Sequence, residues 1–360
     1  MVKLHSRDKS ELRVHVLLPF GSNDWPFVQM LRSRWPDATF GFGGWTSTGY
    51  KSRWDVLWRN LRLFAFGFRS AIGIRWQRRS VQAVVVFSDM EMLGFAFAGL
   101  FTRFQAPIVL HGFIYTSRRS RAFSLIRRTY FRRILKCARG VICHSDREKY
   151  NYAQLFRLSN THFFSVPYGT HVNVPPNLWI GDGGYAFSAG RSGRDYALLA
   201  KVFEHFNFPL RIACDSEFAL NDINFSANVT VLRHCHGDDY LRELAGARFV
   251  VISIKDDEVS SGQMVLINAM AFGKATIITR TNTTTEYGAN GEALMFVELG
   301  SELDLLEAVT KIADDEGLRE RLGKNAVYQY ETRYSMTSFS DKTAAAVEAI
   351  IETCMSQPEK

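Results

Sequence analysis

The chain has 360 residues, 46% of them hydrophobic and 22% charged, with a net charge of +8; this is a globular composition, long enough for two domains, and it excludes a disordered or fibrous chain. Its five cysteines, Cys137, Cys143, Cys214, Cys235 and Cys354, form no C-x-x-C pair and so suggest a reducing, cytoplasmic setting; residues 1–12 are too polar for a cleavable signal, and no apolar run approaches the roughly 18 residues of a spanning helix. Residues 1–178 hold 27 Lys and Arg against 9 Asp and Glu, a net +18, whereas residues 179–360 hold 17 against 27, a net −10, so the first half is expected to face something anionic, a nucleic acid or a membrane surface.

Residues 12–19 read as a buried strand, residues 20–24 as the turn after it, and residues 25–34 as a helix, the opening of a doubly wound α/β domain in which Gly21 can approach a ligand at the strand's carboxyl end. Residues 54–79 carry Trp54, Leu57, Trp58, Leu61, Phe64, Ala65 and Phe68 at helical spacing, with arginines between them. A strand over 81–88 is expected to end in Asp89, Met90 and Glu91, followed by a helix over 93–102 and a strand over 107–110 that delivers His111. Residues 117–139 are the most basic segment. There Arg118, Arg119, Arg121, Arg127, Arg128, Arg132, Arg133, Lys136 and Arg139 surround a stripe of Phe123, Ile126, Tyr130, Ile134 and Ala138, the pattern of an amphipathic helix that lies on a membrane or packs on the sheet by the same stripe. Residues 140–145 are the next buried strand.

Pro175, Pro176 and Asn177, with Gly181, Gly183 and Gly184 just after, are the clearest linker signal. A first domain over 1–176, a second over 177–338 and a C-terminal helix over 339–360 that crosses back to the first are the expected division. In the second half, residues 210–213 and 229–232 are strands and residues 238–247 a helix. His234, Cys235 and His236 suggest a metal site only superficially: on a strand the two histidines share one side, and no further ligand cluster is in view.

The organising stretch is residues 260–279. An apolar strand over 249–253 leads into Ser260-Ser261-Gly262-Gln263, a helix follows, Gly273 can end it, and residues 275–279 are again apolar and β-branched. A helix that opens on Ser-Ser-Gly-Gln offers unpaired backbone N–H groups and a positive dipole end, which suit a phosphate; an ordinary loop feeding a core helix reads equally well from the loop alone.

Taken with Glu286-Tyr287, Gly288-Ala289-Asn290-Gly291-Glu292-Ala293-Leu294 and Leu318-Arg319-Glu320-Arg321-Leu322-Gly323, this stretch resembles the donor-binding half of the group 1 GT-B glycosyltransferases, whose core motif is E-x7-E. The likeness spans roughly residues 185–350. It implies an α/β chain of GT-B type, two Rossmann-like doubly wound domains facing across a cleft, and a hexosyltransferase that moves a sugar, with retention, from a nucleotide-diphospho-sugar to a glycan or lipid-linked acceptor in cell-surface or exopolysaccharide synthesis. The two family carboxylates fall on Ser260 and Asn268, which keep hydrogen-bonding side chains and lose the charge. The resemblance places Gly190, Arg191 and Arg194 at the donor diphosphate with Ser260, Ser261, Gly262, Gln263 and Asn268. It also places His111 near the acceptor and the donor sugar. Asp89 and Glu91, expected to end another strand on the same rim, are rival candidates for binding the acceptor or acting as base, and Gly21, in the turn at its own strand's carboxyl end, is expected on the acceptor side.

No cofactor and no metal are expected: cations and a helix N-terminus can neutralise a leaving diphosphate, and Asp256-Asp257-Glu258 reads as a solvated turn. The expected partners are the nucleotide-sugar, the acceptor and an anionic membrane, with the protein peripheral on the inner face of the cell membrane. A basic nucleic-acid-binding protein is the rival class, although no RNA or DNA module is recognisable. A glycosyltransferase-like protein without catalysis is the third reading.

Overall fold

The computed structural model describes residues 12–44, 53–76, 81–102, 106–115, 121–257, 261–288 and 291–356. The chain divides into two compact units, one of residues 1–167 with 339–360 and one of residues 168–338.

In the first unit the chain runs β1 (Val14–Leu18), α1 (Pro26–Arg34), β2 (Thr39–Phe42), α2 (Arg53–Trp76), β3 (Ala83–Val86), α3 (Asp89–Thr102), β4 (Ile108–His111), α4 (Arg121–Cys137), β5 (Gly140–Cys143), α5 (Asp146–Phe156) and β6 (Phe163–Ser165). The strands form a six-stranded parallel sheet in the order β2-β1-β3-β4-β5-β6. β3, β4 and β5 are buried along their whole length, as expected of a parallel sheet covered on both faces, whose strands read as unbroken apolar runs. Of the helical spacing over 54–79, the residues up to Trp76 belong to one helix, α2, and residues 77–79 lie outside the described residues. Helix α3 starts four residues earlier than the expected 93, so Asp89 and Glu91 stand in its first turn and not at the end of a strand.

The cause is local. Ser88 Oγ accepts the Met90 amide at 3.2 Å and Glu91 Oε2 accepts the Phe87 amide at 3.3 Å, a reciprocal cap that starts a helix wherever Ser-x-x-Glu follows a strand. The same device recurs after β5, where Ser145 Oγ accepts from Glu148 N at 3.0 Å and Glu148 Oε2 from His144 N at 3.1 Å. Helices α2 and α3 touch backbone to backbone: a Cβ on Gly67 would overlap the carbonyl oxygen of Glu91, and one on Gly94 the carbonyl oxygen of Phe64.

The second unit runs β7 (Ala186–Ala189), α6 (Tyr196–His205), β8 (Leu210–Ala213), α7 (Glu217–Leu220), β9 (Val229–Leu232), α8 (Gly237–Gly246), β10 (Phe249–Ile252), α9 (Gln263–Ala271), β11 (Thr276–Thr279), α10 (Thr284–Tyr287), β12 (Met295–Val297), α11 (Glu302–Asp314) and α12 (Glu316–Gln329), then a π-helical turn over Tyr330–Tyr334 and α13 (Met336–Ser356). Its sheet is parallel in the order β12-β11-β10-β7-β8-β9, with apolar cores on both faces.

The expected boundary at 176 falls inside this unit. Thr170 N donates to Tyr334 O at 3.0 Å, Tyr330 Oη donates to Thr170 O at 3.2 Å, and Val172 is buried in a core that Tyr168 and Leu178 also pack against. Proline and glycine mark irregular backbone, which is not the same as the place where contacts cease.

From Phe339 on, α13 belongs to the first unit. Its buried Glu348 accepts from Arg34 Nε and Nη2, each at 2.8 Å, and from Trp35 Nε1 at 3.1 Å, and Thr343 Oγ1 lies 3.1 Å from His111 Nε2. Removing Glu348 strands the buried Trp35 indole N–H and leaves Arg34, a third exposed, to water. Glu348→Ala is therefore expected to destabilise the protein by on the order of 1–2 kcal/mol, read as a lowered denaturant midpoint at unchanged slope; a midpoint within error of the parent would show that α13 is held by its apolar face alone.

Candidate functional site

In open parallel sheets, ligands bind outside the carboxyl ends of the strands where the strand order reverses. The second sheet reverses between β7 and β10, and the first between β1 and β3. Some of the residues that the sequence singles out lie at these two places, and others do not.

At the reversal in the second unit, β7 runs into loop 190–195 and β10 into residues 253–257. The loops are tied together: Asp195 N donates to Ser253 O at 3.0 Å, Lys255 N donates to Gly193 O at 2.9 Å, and Arg194 pairs with Ile254 in an antiparallel bridge. Gly262 has φ +90°, a conformation open to glycine but strained for other residues, and a Cβ there would stand 3.1 Å from Ile252 Cγ2. It precedes α9, whose start has no side-chain cap. Beside those uncapped amides, Ser261 Oγ and Gln263 Nε2 are buried without a hydrogen-bond partner. Uncapped amides, orphaned polar atoms and a dipole's positive end make a built receptacle for an anion.

The three members of the Gly-Arg loop divide their work. Gly190, at φ +121°, makes room for the Arg194 guanidinium, whose Nη2 a Cβ would approach to 2.6 Å. Arg194 does not reach outward as expected. Its Nε donates to Ala189 O at 2.8 Å and its Nη1 to Ser192 O at 3.0 Å, and burial lowers its pKa, so it braces the loop it belongs to: the backbone turns at Gly190 and Gly193, and the guanidinium's several donors hold two of the carbonyls between and beside them. Arg191 is the outward cation, 65% exposed and only loosely paired, its Nε 3.7 Å from Asp215 Oδ1.

Asn268 lies five residues into the chain beyond Gln263 on α9 and donates through Nδ2 to Tyr240 Oη at 3.4 Å; Tyr240 is pushed up to about 12 by burial. Ser260 lies outside the described residues. His234, Cys235 and His236 are not on a strand, since β9 ends at Leu232: His234 has φ +58°, and His236 sits at the start of α8 with Nε2 3.4 Å from Asp215 Oδ2.

Sequence reading missed the threonine turn after β11. Thr284 Oγ1 donates to Thr279 O at 2.7 Å, Thr281 N donates to Thr284 Oγ1 at 2.8 Å, and Ile254 N donates to Thr279 Oγ1 at 2.9 Å. This network holds the segment after β10, which leads to the receptacle; the run Thr279-Arg280-Thr281-Asn282-Thr283-Thr284-Thr285 was its signal, because threonine hydroxyls compete for backbone groups in turns.

At the reversal in the first unit lies a cavity of about 290 Å³, lined by Pro19 after β1, Phe87, Ser88 and Asp89 after β3, His111 to Ile114 after β4, Arg59, Asn60 and Leu63 of α2, and Phe131 of α4. Burial raises the Asp89 pKa, against the pull of the backbone amides of Met90 and Asp89 and of the Arg59 and Arg127 charges. His111 is fully buried, stacked on Phe87 with centroids 4.5 Å apart, and its Nδ1 has no partner. Burial, and then the proximity of His144, hold its pKa well below the usual histidine value, an environment that favours the neutral ring, which can hydrogen-bond, over a charged one.

Glu91 is not among the cavity's lining residues. It is buried as the cap of α3, with its pKa raised by that burial to about 8. Gly21, at φ +109°, stands in the exposed turn after β1, where a Cβ would approach the Trp25 ring to 3.0 Å, and likewise does not line the cavity. Arg59 and Asn60 were not singled out for the site because they read as the polar face of a helix.

Residues 220–328 match the family model described as Glycosyl transferases group 1. No curated protein matches the chain. Among solved structures, a glycosyltransferase from Rickettsia africae superposes with TM-score 0.67 at 10% identity over 95% of this chain and 99% of that one. HepE from Anabaena, in complex with UDP and glucose, gives 0.67 at 12% identity over 94% and 100%, and a sucrose-phosphate synthase from Thermosynechococcus elongatus gives 0.68 at 14% over 95% and 100%. At these identities the likeness is one of fold: the chain has the GT-B fold, with the group 1 glycosyl transferase signature in its second unit.

Proposed function

We propose that this chain, which carries the group 1 signature over residues 220–328, is a glycosyltransferase that binds a nucleotide-diphospho-sugar in its second unit and a hydroxyl-bearing glycan acceptor in its first. The observation that supports this reading most is the uncapped start of α9 with the buried, partnerless Ser261 Oγ and Gln263 Nε2 beside it and Arg191 exposed on the neighbouring loop. Departure of a nucleoside diphosphate develops negative charge on the leaving phosphate. N–H groups and a cation already aimed at that point stabilise the charge without reorganising, and they do so without a divalent ion.

On the acceptor side, the cavity offers a carboxylate at Asp89 with a raised pKa, a neutral His111 and the Arg59 guanidinium. Asp89 is suited to accept the attacking hydroxyl's proton, and His111 Nδ1 to fix a neighbouring hydroxyl by a hydrogen bond. The HepE structure holds UDP and glucose, which makes a UDP-hexose the first donor to try here; retention of configuration and a role in surface polysaccharide synthesis follow from the family likeness and are part of the proposal.

Calorimetric titration with UDP, GDP, ADP and dTDP sugars tests it, followed by product analysis with the donor that binds. One donor should bind in the presence of EDTA, and sugar transfer should continue there. No binding by any donor would sink the donor site; loss of turnover in EDTA restored by a divalent ion would sink the metal-free step. A glycosyltransferase-like protein without catalysis is the second reading, and it has its own motive: Asn268 is engaged with Tyr240 and the two family carboxylates are replaced. Tight donor binding without transfer to any glycan would favour it.

A further inference from the structure

The first unit exposes large apolar side chains on two helices that also line the cavity. On α2, Trp54 is 69% exposed, Trp58 62%, and Leu57 and Leu61 nearly half. These residues interleave with Arg59, Asn60 and Leu63, which line the cavity. On α4, Phe123, Leu125, Ile126 and Tyr130 are all exposed, and the adjoining Phe131 lines the same cavity, as does the half-exposed Ile114. Exposed large apolar residues clustered on helices beside a cavity suit an interaction surface.

Charge says what kind. Helix α4 has no Asp or Glu and five Arg with one Lys; α2 has a single acidic residue, Asp55, and five Arg. Exposed aromatics on helices whose charge is almost all positive suit the boundary between acyl chains and anionic headgroups, where tryptophan rings sit and each basic group contributes on the order of 1 kcal/mol. No helix among the described residues is long and apolar enough to cross a membrane, so the contact is one of lying on the surface.

We infer that the exposed faces of α2 and α4 insert at the surface of an anionic bilayer and bring the mouth of the first-unit cavity to the lipid, so that the acceptor is an amphiphile whose polar head enters the cavity while its chain stays in the membrane. This rests on the acceptor half of the proposed function and names its substrate class. It places Arg59 where a phosphate-bearing headgroup would meet it, and it accounts for Ile114 standing half-exposed on the cavity wall, since an acyl chain and not water would cover it.

The full-length protein with phosphatidylglycerol vesicles at low salt decides the matter. It should sediment with them, stay in the supernatant with phosphatidylcholine vesicles, release at 1 M salt where the screening length falls to roughly 3 Å, and show blue-shifted tryptophan emission when bound. Trp54→Ala with Trp58→Ala, both well exposed, should weaken vesicle binding at least tenfold. The same double variant should bind the nucleotide-sugar as the parent does and transfer to a water-soluble, chain-truncated acceptor as well as the parent, losing only transfer to the acceptor in vesicles. Unchanged vesicle binding in that variant, or parent protein that binds single-stranded RNA as tightly as it binds the vesicles, would overturn the inference in favour of a general polyanion surface. Absence of donor binding with vesicle binding intact would overturn the proposed function and leave the membrane contact standing.

Discussion

Gly262→Val is expected to abolish measurable nucleotide-sugar binding while the protein still folds. The residue holds φ +90° at the start of α9, and a Cβ there meets Ile252 Cγ2 at 3.1 Å. A β-branched side chain is strained in that backbone region, so the turn must reopen, and the amides of α9 then point elsewhere. The neighbouring Gly193, whose Cβ would meet Ser261 Oγ at 2.8 Å, shows how little room the two loops leave. Arg191→Ala should weaken binding by roughly tenfold, the worth of a hydrogen bond to a charged group. Arg194→Ala should lower stability as well as affinity, since its guanidinium holds Ala189 and Ser192 carbonyls. Calorimetry and thermal unfolding on the three variants separate these outcomes; donor affinity unchanged in Gly262→Val would remove α9 from the site.

A second large effect is expected from Glu91→Gln. Glu91 is buried with Oε1 unpartnered, and burial raises its pKa from 4.5 to about 8. The folded carboxyl therefore keeps its proton up to about pH 8, while the unfolded one releases it near 4.5. Between those values the folded state binds more protons, so this group's stabilisation is complete below pH 4.5, declines as pH rises, and is gone above pH 8. The full span is on the order of 5 kcal/mol for a shift of this size. The amide keeps the shape and the acceptor for the Phe87 amide and does not titrate, so at pH 8.5 the variant should be the more stable protein, and at pH 5 the two should be close. Urea unfolding at several pH values measures this; parallel curves for parent and variant would show that Glu91 is ionised in the fold.

The two sheets were legible because their strands are continuous apolar runs bounded by turn residues, as at Phe249–Ile252 and Gly140–Cys143. The receptacle at α9 was legible for the same reason, since strand, glycine and helix follow within a dozen residues. What could not be read is what depends on partners far off in sequence. Arg194 looked like a ligand-binding arginine, and only the turn geometry shows that its own loop uses it. Asn268 shows no sign of Tyr240, and His111 none of Phe87 or Thr343. Glu91 is the opposite case: its capping role was written in Ser88-Asp89-Met90-Glu91, repeated in Ser145-Asp146-Arg147-Glu148, and it was the pull of a carboxylate near a strand end that hid it.

The backbone contact between α2 and α3 at Gly67 and Gly94 fixes more than the packing of two helices. Arg59, Asn60 and Leu63 reach the cavity from α2, and Asp89 reaches it from the first turn of α3. With carbonyl oxygens of Glu91 and Phe64 lying where side chains would otherwise begin, the distance between those walls is gauged by two absent methyl groups. Any wider residue at either glycine would act as a spacer and push the two walls of the cavity apart from a place that does not line it.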